Sequence, residues 1–165
     1  MKPALFTLSL AAFFAAAAPA AAESLAVALI DFDYVDTSGE PRDQREDHAR
    51  RLRDFMASLR RDLARDGKFR VVPLDCGDAP CAVGKETPQE LFDAAKKAGA
   101  RLLLYGGVHK MSTLVQWAKT QLVDVEKDRL IDDRWLTFRG DDDEAWRRAE
   151  VYLAKRLAET RIEEK

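Results

Sequence analysis

Leu25-Ala26-Val27-Ala28-Leu29-Ile30-Asp31-Phe32 is a short, nearly continuous apolar run that closes on an acidic residue and an aromatic one. A strand with one wet face alternates apolar and polar residues. This one does not, so it reads as a strand buried on both faces, inside a sheet. The same reading applies to Arg101-Leu102-Leu103-Leu104-Tyr105-Gly106-Gly107-Val108-His109, whose paired glycines point to a bulge or a close backbone approach. Between the two lies Phe69-Arg70-Val71-Val72-Pro73, another short strand.

Working outward, Asp36 to Pro41 supplies turn chemistry, after which Leu52, Phe55, Met56, Leu59 and Leu63 recur at helical spacing. The first helix is expected over about Asp43 to Asp66, stopped by Gly67. Thr87-Pro88-Gln89-Glu90 reads as a second helix start, with Thr87 as N-cap, Pro88 in the first turn and Glu90 completing a capping box. Its narrow face of Leu91, Phe92, Ala94, Ala95 and Ala98 suits close packing on a sheet, and Gly99 ends it. Leu114 to Val125 and Arg129 to Phe138, separated by Glu126-Lys127-Asp128, read as an antiparallel hairpin with a solvated acidic turn. A last helix begins near Asp141 as N-cap and buries Trp146, Ala149, Leu153 and Leu157, with Glu159 to Lys165 expected to fray. Right-handed crossovers make the first three strands parallel with the first one central. The expected fold is α/β, one domain of order βαβαβββα, with a mixed five-stranded sheet ordered 2-1-3-4-5 and helices on its faces.

The ends set the compartment. Lys2, the apolar stretch Ala4 to Ala18 and Pro19-Ala20-Ala21-Ala22 follow the plan of a signal peptide cut after Ala22. The apolar run is shorter than the roughly 20 residues of a membrane span. Residues 1–22 are therefore expected to leave, and 23–165 to act as a single periplasmic domain with no transmembrane anchor. No cysteine follows the cut to take a lipid. The two cysteines, Cys76 and Cys81, are expected to close a small loop as a disulfide after export. Their spacing is not Cys-x-x-Cys, and no further Cys or His stands near in sequence to complete a zinc site. A formal net charge of −2 argues against a nucleic-acid surface resting on Lys and Arg.

Val27 to Phe32, Leu102 to Val108 and Leu122-Val123-Asp124-Val125-Glu126 together resemble a pattern of exported domains. It is similar to the N-terminal domain of TolB, the curli-secretion lipoproteins and the lipoprotein activators of penicillin-binding proteins. Gly107 to Trp117, with Phe138-Arg139-Gly140-Asp141 and Glu144 to Ala149, more closely resembles an uncharacterised exported bacterial family of unknown function. The resemblance implies a fold and a periplasmic setting, and no reaction. The chain lacks the lipidation cysteine of the lipoprotein relatives.

Two constellations could carry function. Asp31, Asp33, His48 and His109 could meet at the C-terminal edge of the parallel strands and bind a metal or a small molecule, or do acid and base work. The plainer alternative is that the carboxylates cap backbone amides and the imidazoles are satisfied locally. Second, Met111, Leu114, Val115 and Trp117 lie close to Lys110 and Lys119, a mix found at the centre of protein interfaces. Its alternative is a strand with its inner face in the core. There is no Gly-x-Ser-x-Gly elbow and no phosphate-cradling loop, so no catalytic or cofactor motif is read. The expectation is a non-catalytic module that binds a periplasmic or envelope protein, with a ligand-binding protein or enzyme using Asp31, Asp33 and His109 as the alternative.

Overall fold

In the computed structural model, which describes residues 24–77, 81–83 and 85–163, β1 (Leu25–Leu29) is flanked by two parallel neighbours. The expected signal peptide lies outside the described residues. On one side is β3 (Phe69–Val72), and on the other β4 (Leu102–Lys110), with Val27, Ala28 and Leu29 opposite Leu102, Leu103 and Leu104. β5 (Val115–Asp124) and β6 (Arg129–Arg139) continue antiparallel from β4. The sheet order, β3-β1-β4-β5-β6, is the expected 2-1-3-4-5 counted over the strands the sequence showed.

A sixth strand, β2 (Asp33–Asp36), pairs in parallel with the second half of β4, Gly107 to Lys110. The run through Phe32 is thus two strands laid end to end along β4, with a break at Ile30 to Phe32. Buried Phe32 packs on Phe55, with centroids 5.9 Å apart, and over Gly106, where an added Cβ would sit 3.2 Å from the ring. The glycine pair is therefore a close approach: the same Cβ would lie 2.3 Å from the Lys119 carbonyl oxygen. The bulge is elsewhere, in β6, where Ile131 is the extra residue opposite the Leu122 to Val123 step of β5.

α1 (Arg45–Arg65) and α3 (Asp143–Ala158) cover one face, packing on Val27, Leu102, Leu104 and Val108. α2 (Pro88–Lys97), with the Thr87 capping box in place, covers the other face over Ala26, Ala28 and Leu103. Cys76 and Cys81 are disulfide-bonded beside it. Asp142 rather than Asp141 caps α3, accepting from the Ala145 N–H at 2.7 Å, because the Asp141 carboxylate turns inward. Asp124 is fully buried rather than solvated: it accepts from Arg101 at 3.1 Å and from the Glu126 and Lys127 amides. The tail through Glu163 is held, since Ile162 packs on the core and Arg101 donates to the Glu163 carbonyl at 2.7 Å.

Candidate functional site

The structure divides the first constellation between two faces of the sheet. Asp31 is exposed and paired with Arg60 at 2.6 Å. His48 is buried on the α1 and α3 side, its Nε2 2.9 Å from Asp141 and its ring 4.7 Å from Tyr34. His109 and Asp33 stand on the opposite face, where the His109 Nε2 and the Thr37 hydroxyl lie 2.6 Å apart. Burial raises the carboxyl of Asp33 above its usual range. Among the described residues no group of three or more His, Cys, Asp or Glu side chains is placed to hold a metal ion.

Lys110 belongs to a buried ionic cluster and is fully enclosed. Strand alternation points its neighbour His109 outward and Lys110 inward. There its ammonium donates to Asp141 at 2.6 Å and to Glu40 and Gln44. Asp141 also takes His48 and, at 3.0 Å, Arg51, while Gln116 donates to the neighbouring Gly140 carbonyl at 2.8 Å. Burial alone would push Lys110 down, but its hydrogen bonds to Asp141 and Glu40 prevail and hold it above the usual lysine range. Burial likewise opposes ionisation of Asp141, and Lys110 and His48 overcome it to keep the carboxyl low. Both groups are thus held charged at neutral pH, which suits a fixed tie between the β2 to α1 loop, β4 and the start of α3.

Part of the second constellation stands on the other face: Trp117 and Lys119 are there, with Met111 against Trp117, while Lys110 is turned away into the ionic cluster. α2 is only ten residues long, and the half of the sheet built from β2, the end of β4, β5 and β6 extends past it. Outward along one row lie Val35, His109, Trp117 and Thr137, cross-strand neighbours in register. Trp117 is half-buried between His109, at 4.9 Å, and Trp135, at 4.4 Å. Lys119 sits over the Trp135 ring at 5.2 Å. Exposure is high at Trp135 (59%), Leu114 (63%), Met111 (51%) and Val35 (51%).

Of the residues expected on this surface, Met111 and Leu114 are exposed and Trp117 is half-buried, whereas Lys110 is enclosed because strand alternation turns it inward to Asp141, Glu40 and Gln44; Trp135 and Val35 were not expected here. A signal for Trp135 was present. Folding the hairpin about Glu126 to Asp128 sets Trp117 opposite Thr137, so that Trp135, two residues away, shares its face.

A model of a protein family of unknown function (DUF2380) matches residues 25–157. No curated protein matches the chain in sequence. Among solved structures, the fold is similar to the hypothetical protein CT253 from Chlamydia trachomatis, at TM-score 0.58 and 10% identity over 83% of this chain and 97% of that one. It is similar to the PelC dodecamer from Paraburkholderia phytofirmans, at 0.52 and 16% over 89% and 96%. It is also similar to the LpoB C-terminal domain from Escherichia coli, at 0.50 and 18% over 73% and 86%. These likenesses show the fold.

Proposed function

Because the chain belongs to this DUF2380 family of unknown function, we propose its role from its own surface: it is a non-catalytic accessory module that binds a protein of the periplasm or envelope. Residues 1–22 act as a cleaved signal peptide, and 23–165 work as one periplasmic domain. The observation that carries the reading is the open sheet face on which Trp135, Met111 and Val35 are each about half exposed or more, around Trp117 and His109, with exposed Leu114 in the turn that leads into β5. Contiguous exposed apolar and aromatic side chains mark interaction sites, and Trp is among the residues enriched in the hot spots near the centres of protein interfaces. The Cys76–Cys81 disulfide fits an oxidising compartment. The fold shared with LpoB and PelC is consistent with an envelope setting, and no helix among the described residues is long and apolar enough to cross a membrane.

A photo-crosslinking amino acid placed at Met111 in living cells tests this. The expected result is one discrete adduct with a different protein, lost when Trp117→Ala is added and absent when the crosslinker is moved to Tyr152 on the opposite side. No adduct, or an adduct indifferent to Trp117, would overturn the reading.

A further inference from the structure

β6 is an edge strand: β5 pairs with one side of it, and no strand among the described residues pairs with the other. Its outer row of backbone N–H and C=O groups is a template for a further strand. The first part of β6 is irregular, since the β5 ladder slips at Leu122/Val123 and Arg129 is tied to Glu163 at 3.1 Å. From Asp133 to Arg139 the ladder is regular, and Asp133, Trp135, Thr137 and Arg139 are all exposed on one face. Asp133 is held upright by Gln121 at 3.1 Å. Arg139 has no ion-pair partner among the described residues.

We propose that this segment pairs with the same segment of a second copy of the chain, antiparallel about a two-fold axis at Leu136, joining the two sheets into one. Successive residues of a strand turn their backbone groups to alternate sides, so an edge can pair only residues of like parity, and the axis must fall at a residue. An axis at Asp133 or Arg134 sets that charge against its own copy. An axis at Trp135 sets Asp133 against Thr137 and Arg139 against Ile131, at the irregular end. An axis at Thr137 sets Asp133 against Asp141, beyond the strand. At Leu136, Asp133 faces Arg139 of the second copy and Arg139 faces its Asp133, two opposite-charge pairs enclosing Trp135 against Thr137. Opposite charges directly across strands favour a register and like charges oppose it. The pairing also gives the unpartnered Arg139 its carboxylate and continues the aromatic face across both copies.

Sedimentation equilibrium of the purified protein at micromolar concentrations tests the pairing. The expected result is a mass of two chains, a dissociation constant raised about tenfold or more by Asp133→Arg or Arg139→Asp alone, and recovery of most of that loss when both are combined. A single-chain mass throughout, single reversals without effect, or a double variant no better than the singles overturns it. A nitroxide on Thr137 in the otherwise unchanged chain reads the same contact without altering a charge: strong dipolar coupling between copies supports the pairing, and its absence overturns it. The pairing goes beyond the partner-binding reading, whose Met111 adduct is tested separately, so either can fail alone.

Discussion

Glu150 shows what burial does to one side chain. It lies on α3 at 2% exposure, beside a cavity of about 100 Å³ between α1 and α3, and its Oε1 has no hydrogen-bond partner among the described residues. Burial, reinforced by Asp62, pushes its carboxyl up to about 7 from an ordinary 4.5. Between those values the folded chain keeps a proton that the unfolded chain has released. Stability therefore falls as pH rises from about 4.5 to about 7 and then levels, by an amount of up to about 3 kcal/mol. Glu150→Gln is expected to match the natural protein near pH 4.5, exceed it by about 1–3 kcal/mol at pH 8, and lose that slope, as read from urea unfolding across pH. Lys110 is the opposite case, a buried charge fully partnered. Lys110→Met leaves Glu40 and Asp141 without their shared cation and is expected to cost about 3 kcal/mol in the same measurement. Neither role was legible in the sequence. Glu150 sits within an ordinary helical pattern, and Lys110 meets Glu40 across 70 residues while His48 meets Asp141 across 93.

At the scale of elements, spacing and capping signals located the elements whose determining contacts are local, with the α3 cap displaced by one residue because Asp141 turns inward to Lys110. The Thr87 capping box, the turn before β6 and the apolar stripes of α1 and α3 all lie within a few residues of what they specify. β2 was missed because Asp33-Tyr34-Val35-Asp36 is short and polar at both ends, and only its pairing with Gly107 to Lys110 makes it a strand. Gly106 marks where elements crowd. Gly106→Ala drives a methyl into the Lys119 carbonyl and the Phe32 ring, so it is expected to cost about 2 kcal/mol or more and to lower the thermal midpoint by several degrees. The Cys76–Cys81 disulfide closes a loop of sequence separation 5, and replacing both residues with Ser is expected to cost about 2 kcal/mol through loop entropy alone. The far-UV circular dichroism of that variant should not change, because the two-faced core is built from the strands and helices around it.

For the whole molecule, the decisive quantity is which part of the sheet has cover. Trp135→Ala removes a large exposed side chain, so it is expected to alter stability by less than about 1 kcal/mol while abolishing the Met111 adduct; calorimetry and crosslinking on one variant separate the two effects. The sequence by itself determined the α/β class, the order of the five main strands, the two helix-covered faces and the cysteine pair, because apolar periodicity, turn residues and caps are encoded over short separations. Only the tertiary structure decided that Asp31, Asp33, His48 and His109 part to different surroundings, that Lys110 is enclosed, and that Trp117, Trp135, Met111 and Val35 share one open face. The physical reason is that burial is conferred by what folds over a residue. A ten-residue α2 leaves the β5 and β6 end of the sheet bare, and no spacing within those strands records where the helix stops.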